Sequence, residues 1–124
     1  MRLLLDTHVL IWLMTGEPVA KDGVNAIADP RNTVFVSVAS LWEIAIKQGR
    51  GRLTPPEDTA EAAVAAGFDI LGIDPSHVRA VRDLPDHHRD PFDRILVAQA
   101  RHEQLTLVTR NRRLSEYDVT ILVV

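Results

Sequence analysis

The sequence predicts an α/β chain built on a mainly parallel sheet with helices on both faces. Three observations carry that expectation. Five short apolar runs, at residues 3–5, 33–36, 68–71, 105–108 and 119–123, alternate with segments of helical pattern. The runs read as apolar strands rather than strict in–out alternations, which fits burial on both faces of a parallel sheet. Acid-then-proline pairs, Asp74-Pro75 and Asp90-Pro91, mark helix starts, because the carboxylate caps free N–H groups and proline suits the first helical turn.

In order, Leu3-Leu4-Leu5 reads as a buried strand and Asp6 as the cap of a helix through Met14, broken at Gly16-Glu17-Pro18. A second helix is expected over 19–28, ended by Asp29-Pro30. A strand follows at 33–36. Ser37 then caps a helix through Gln48, with Leu41, Ile44 and Ala45 on its buried face and Gly49-Arg50-Gly51 at its end. Thr54-Pro55-Pro56-Glu57 carries a capping box and opens a helix to Ala66, stopped by Gly67. After the strand at 68–71, Asp74-Pro75-Ser76-His77 starts a short helix to Arg82. Residues 84–89 form a polar connection to the helix 91–101. The last strands, 105–108 and 119–123, are joined by a loop or short helix at 109–115.

The chain has 124 residues, the length of one domain, and residues 1–124 are expected to form a single unit. There is no cysteine, which excludes disulfides and thiolate metal sites. No apolar stretch approaches a membrane span, and Met1-Arg2-Leu3-Leu4-Leu5-Asp6 is too short and too soon acidic for a signal peptide, so a soluble cytoplasmic protein is expected. The formal charge of −3 argues against a generic nucleic-acid coat but not against a nuclease, whose active site is itself acidic. Basic residues gather at Lys47/Arg50/Arg52, Arg79/Arg82 and Arg110/Arg112/Arg113.

Four carboxylates gather near expected strand ends: Asp6 follows Leu3-Leu4-Leu5, Glu43 lies on the helix after Val34-Phe35-Val36, and Asp90 and Asp93 open the helix from Pro91. Asp6, Ser37 and Thr109 each follow a strand and so face the crevice where parallel sheets bind ligands. Asp90 and Asp93 are three apart at a helix start and share its crevice side. Each acid alone also reads as a cap or a surface residue; the combination is what informs. Crowded carboxylates push one another toward protonation, and a bound Mg²⁺ or Mn²⁺ resolves the conflict with oxygen ligands. Metal-dependent phosphodiester hydrolysis is the reaction class that needs such a set without a serine triad, cysteine or histidine base.

Longer blocks sharpen this reading. They are Leu3-Leu4-Leu5-Asp6-Thr7-His8-Val9-Leu10-Ile11-Trp12, Val36-Ser37-Val38-Ala39-Ser40-Leu41-Trp42-Glu43-Ile44-Ala45-Ile46-Lys47, His88-Arg89-Asp90-Pro91-Phe92-Asp93-Arg94-Ile95-Leu96-Val97-Ala98-Gln99-Ala100 and Leu107-Val108-Thr109-Arg110-Asn111. In order and spacing the chain resembles the PIN-domain ribonucleases, and more closely the toxin component of VapBC-type toxin–antitoxin modules. The resemblance implies a three-layer α/β/α sandwich and a Mg²⁺- or Mn²⁺-dependent endoribonuclease acting on structured RNA, transfer RNA or ribosomal RNA. It implies a metal-binding acidic core of Asp6, Glu43 and Asp93, with Asp90 as an additional acid. Thr7 and Ser37 are implied to help hold the carboxylates or water. A homodimer, inhibited by a cognate VapB-type antitoxin, is implied too.

One position departs. Where the family commonly has a fourth aspartate, this chain has Asn111, which offers a carbonyl oxygen but no charge. That should weaken a second metal site more than the first, so a one-metal resting state is expected. It also keeps open a non-catalytic PIN-like protein that binds RNA or a partner. A DNA-directed nuclease shares every acid. A receiver-type phosphoacceptor does not fit, because no lysine follows Lys47. Lys47, Arg94, Arg110, Arg112 and Arg113 are the candidates for contacting RNA phosphates. His8, His77, His87, His88 and His102 lack a zinc spacing. Trp12 and Trp42 read as packing or interface residues, and Tyr117 as the anchor of the last loop. With so few aromatics, extensive base stacking is not expected.

Overall fold

The computed structural model describes residues 1–51 and 58–124. The chain lays down β1 (Arg2–Leu5), α1 (Thr7–Thr15), α2 (Lys21–Ala28), β2 (Thr33–Ser37), α3 (Val38–Gly49), α4 (Thr59–Ala65), β3 (Asp69–Leu71), α5 (Pro75–Arg82), α6 (Pro91–Glu103), β4 (Thr106–Thr109), a 3₁₀ turn (Arg112–Glu116) and β5 (Ile121–Val123). All strand pairs are parallel, in the order β3-β2-β1-β4-β5. The chain therefore builds outward from β1 on one side, then returns to build outward on the other. The strand order reverses between β1 and β4, where an open parallel sheet splits at its carboxyl edge.

Residue parity along the strands separates two cores. Leu3, Leu5, Val34, Val36 and Val108 face one side, where Val9, Leu10 and Ile44 cover them. Leu4 and Leu107 face the other, under Leu96, Val97 and Ala100 of α6. Leu3, Leu4 and Leu5 are all fully buried, as the central strand of a three-layer α/β/α sandwich must be.

The helix ends follow local chemistry. Asp6, Ser37, Asp58, Asp74 and Asp90 all cap through their side chains. Gly16 closes α1 in the left-handed conformation (φ 76°), which glycine adopts without the cost of a Cβ. Three expectations shift. The second helix starts at Lys21 rather than residue 19, because Ala20 stands outside helical backbone (ψ 138°) as its N-cap, without a side-chain hydrogen bond. α6 runs to Glu103, past Arg101, with Arg101 and His102 in its last turn, where cations suit the negative helix end, and Gln104 as a left-handed cap. The last strand starts at Ile121. The predicted capping box Thr54–Glu57 lies outside the described residues, as does Arg52; within them, α4 begins at Thr59 with Asp58 accepting from the Glu61 N–H. Among the described residues no helix is long and apolar enough to cross a membrane.

Candidate active site

Asp6 stands at the carboxyl end of β1, at the reversal point. Its backbone N–H donates to Val108 O at 2.9 Å, which fixes it against β4. The residue is 5% exposed. One oxygen accepts from the His8 N–H (3.3 Å) and the other from the Thr109 hydroxyl (2.7 Å). Burial pushes this carboxyl up, but the hydrogen bonds from His8 and Thr109 outweigh it and hold Asp6 below the usual aspartate range. The His8 imidazole, 3.9 Å from Asp6, is raised in turn by that carboxylate.

Asp93 behaves oppositely. It lies in the first turn of α6, beside Asp90, whose Oδ1 caps the N–H groups of Phe92 (2.8 Å) and Asp93 (3.2 Å). Burial, then the charges of Asp6, Asp90 and Glu43, push Asp93 up to about 6. Those three carboxylates thus act on the fourth: the crevice gathers acids from β1, α3 and the start of α6. Glu43 is restrained by Lys47 one turn on, at 3.3 Å. This is a donor set for a hard divalent cation: oxygen ligands only, excess negative charge, and one half-buried acid pushed up by burial and by its neighbours.

The other expected site residues sort differently. Thr7 and Ser37 are buried, and among the described residues their hydroxyls donate to other side chains rather than to a carboxylate. The Thr7 hydroxyl donates to Ser40 Oγ at 2.9 Å, pinning α1 to α3. Ser37 caps α3 and donates to Gln99 Oε1 at 2.6 Å. The hydroxyl on Asp6 is instead that of Thr109, whose signal in the sequence was a polar residue directly after a buried strand. Asn111 lines the crevice, but its Oδ1 accepts from the Arg113 N–H (3.1 Å) as the cap of the 3₁₀ turn.

Arg94, expected at RNA phosphate, turns inward. Its guanidinium donates to the carbonyls of Val81, Leu84, Pro85 and His88 and to Tyr117 Oη, locking the 84–89 connection onto α6. Arg110 is also engaged, through Val124 O, Pro18 O and the Trp12 ring. Arg112 and Arg113 are exposed. Tyr117 is buried and anchors its loop, accepting from the His88 N–H at 3.0 Å. Trp42 is not a packing residue: it is 60% exposed, edge-on to Phe92.

A second polar cluster was not expected. His77 is 1% exposed. Its Nδ1 accepts from the Asp74 N–H (3.1 Å), so its Nε2 carries the proton toward Glu103 Oε1 (2.9 Å). Among the described residues, Asp74, His77 and Glu103 are the one trio of such side chains with ligand atoms all within 4.8 Å; the crevice carboxylates are more widely spread. The two ring nitrogens of His77 point apart and each has a partner, so one ion meets only one of them. Gln99, fully buried, joins this cluster to Ser37 and to Gly72 O.

Comparison with known proteins places this geometry. The PIN domain family model matches residues 3–119. Over 67 residues the chain is 37% identical to Ribonuclease VapC16 of Mycobacterium tuberculosis (strain ATCC 25618 / H37Rv), a match that spans 48% of each, about half the length of that curated relative. Among solved structures, a chain of VapBC2 from Rickettsia felis, bound to a DNA fragment from their promoter, superposes with TM-score 0.77 at 16% identity, covering 99% of this chain and 98% of that one. A chain of FitAcB from Neisseria gonorrhoeae gives 0.65 at 20% identity, covering 97% and 96%. A chain of VapBC-1 from nontypeable Haemophilus influenzae gives 0.64 at 17%, covering 99% and 98%. At these identities the structural likeness establishes the shared fold.

Proposed function

The chain belongs to the PIN-domain family, and from that premise we propose that it is a VapC-type toxin, a metal-dependent endoribonuclease that hydrolyses phosphodiester bonds in structured RNA such as transfer or ribosomal RNA. The observation that carries this reading is Asp93, pushed up to about 6 by burial and by Asp6, Asp90 and Glu43 at the reversal point of the sheet. Four acids at one edge, one of them pushed well above the usual aspartate range, form a site whose charge balance calls for a cation.

Mg²⁺ or Mn²⁺ would be held by Asp6, Asp93, Glu43 and Asp90, and when bound it supplies activation of water and compensation of charge at the scissile phosphate. The chain's own residues prepare that site. Thr109 and the His8 N–H keep Asp6 ionised and oriented. Lys47 restrains Glu43. Asp90 fixes the first turn of α6 and so the position of Asp93. Asn111 is occupied as a cap, which supports a one-metal resting state. Arg112 and Arg113, exposed beside the crevice, are the cations best placed to track an RNA backbone. Residues 1–124 act as one domain in this reading, in the cytoplasm.

A VapB-type antitoxin is the proposed partner. An open apolar groove of about 330 Å³, lined by Leu10, Leu13, Val24, Ile27, Ala62 and Phe68, supports it, since an amphipathic segment suits such a groove. The exposed Trp42 face, with Val78 and Phe92, supports a homodimer.

The test is incubation of the antitoxin-free protein with total cellular RNA and Mg²⁺ or Mn²⁺, beside an Asp6→Ala variant and a chelator control. Discrete fragments absent from both controls are expected. Intact RNA with folded, Mn²⁺-binding protein would instead support a non-catalytic RNA- or partner-binding protein.

A further inference from the structure

We propose that Trp12, Arg110 and His8 form a nucleobase subsite beside the acidic crevice, which takes one unpaired base of the RNA strand next to the scissile phosphate. This rests on the ribonuclease reading above and adds what the site recognises.

The crevice opens into a pocket of about 320 Å³ lined by Asp6, His8, Trp12, Asp93, Arg110 and Asn111. Its two walls differ in chemistry. One carries the carboxylates. The other is a stack: Arg110 Cζ lies 3.9 Å over the Trp12 ring centroid, near the contact distance of planar groups, and the His8 ring stands 6.0 Å from Trp12 at 40°.

Arg110 is held there before any ligand arrives. Its Nε donates to Val124 O at 3.1 Å and its Nη2 to Pro18 O at 2.9 Å. Those bonds use the Nε–Nη2 edge, one fork with which arginine grips a phosphate. With that edge engaged, what an exposed Arg110 has left to offer the pocket it lines is mainly its flat face, the one not covered by Trp12. A guanidinium plane backed by an indole is a stacking surface for a base, and its fixed position lowers the ordering cost of binding. Asp6 and Asp93 close by disfavour a phosphate in this pocket, whereas a neutral base carries no charge to repel. Proteins read RNA through unpaired bases stacked on aromatic rings or arginine planes, so the subsite selects a splayed nucleotide rather than a paired one. Sequence patterning missed it because Trp12 and Arg110 are 98 positions apart and meet only where the end of α1 passes the end of β4.

The probe is adenosine 5′-monophosphate, with ribose 5-phosphate as its base-free counterpart. Both are titrated into ¹⁵N-labelled full-length protein in a chelator, where no cleavage occurs. The chain has two tryptophans, so the indole N–H signals report Trp12 and, as an internal control, Trp42. The nucleotide is expected to shift Trp12 saturably at millimolar concentration, leaving Trp42 in place, while ribose 5-phosphate moves neither. Arg110→Lys keeps the charge but removes the plane and should weaken the nucleotide about tenfold, within the range of single-base stacking. The proposal is overturned if Trp12 stays still, if ribose 5-phosphate shifts it equally, if Trp42 responds instead, or if folded Arg110→Lys binds as the wild type does. If Arg110→Lys does not fold, the contrast between the two ligands on the wild type decides. RNA cleavage without a Trp12 response removes the subsite alone; a Trp12 response without RNA cleavage keeps the subsite and removes the nuclease.

Discussion

Two clusters of acids and histidine stand on the same helix, α6, and they are built to opposite specifications. At its start, Asp93 shares a crevice with Asp6, Glu43 and Asp90 and is pushed up to about 6. At its end, Glu103 meets His77, which in turn meets Asp74 and Gln99, and both nitrogens of that imidazole have partners. The His77 cluster is the tighter, with ligand atoms within 4.8 Å. Proximity of metal-type side chains is therefore not what marks a functional site. The mark is charge left uncompensated: the α5–α6 cluster satisfies its groups internally, whereas the crevice leaves an excess that only something from outside the chain relieves.

The sharpest way to break this comparison is to neutralise one acid at each end of α6. Asp93→Asn should lower RNA cleavage by about a thousandfold or more, because several kcal/mol of charge compensation at the phosphate is lost with the ion. Glu103→Gln should leave cleavage within about threefold, since the amide oxygen can still accept from His77. Equal losses in a side-by-side RNA digestion would erase the distinction. Stability should report the reverse. His77→Ala removes a buried ring and leaves the Asp74 N–H without its acceptor, at a cost of about 3 kcal/mol, with Mn²⁺ affinity unchanged; denaturant titration and calorimetry measure the two.

Next comes Thr109→Val, which removes the hydroxyl from Asp6. The Asp6 carboxyl should rise and Mn²⁺ affinity should fall about 10- to 100-fold, the usual cost of losing a hydrogen bond to a metal ligand. Affinity equal to the wild type would mean that Thr109 only joins β4 to its turn.

The smallest effect concerns pH. Asp93 titrates near 3.8 when unfolded and about 6 when folded. The folded protein thus binds this proton more tightly, so in metal-free protein the Asp93 contribution falls as pH rises from about 4 through about 6 and stays unfavourable above it. Asp93→Asn should flatten that part of the melting-temperature profile between pH 5 and pH 7.5. Conversely, Mn²⁺ should bind the wild type more weakly as pH falls through about 6, because ion and proton compete for one carboxylate. A wild-type profile with the same slope as the variant's would show that Asp93 titrates normally.

Much of this was legible in the residues. Caps at Asp6, Ser37, Asp74 and Asp90 are local devices, each settled by atoms a few positions away, so the helix starts beside them could be read directly. The order of strands and helices followed from patterning, and Asp6, Asp90 and Asp93 stood out because acids directly after strands or at helix starts have a restricted range of positions, whereas Glu43, in the middle of α3, joined them only through the combination. What could not be read was the use of groups with more than one possible partner. Ser37 was expected near the carboxylates and bonds Gln99, 62 positions on. Arg94 was expected at phosphate and holds a loop. Thr109 was placed at the crevice edge, but that its hydroxyl lands on Asp6, 103 positions away, depends on β1 and β4 being neighbours.

The sequence by itself determined the alternation of strands and helices, the positions of the caps, and which acids were available for a site. Only the tertiary structure decided that β1 lies between β2 and β4, that Asp6 is held ionised while Asp93 is pushed toward neutrality, and that Trp12 lies beneath Arg110. The reason is range. Capping and periodicity are set within a few residues along the chain. Desolvation, charge–charge repulsion and hydroxyl partnership depend on distances through space, and those exist only once the sheet order has fixed which strand ends meet.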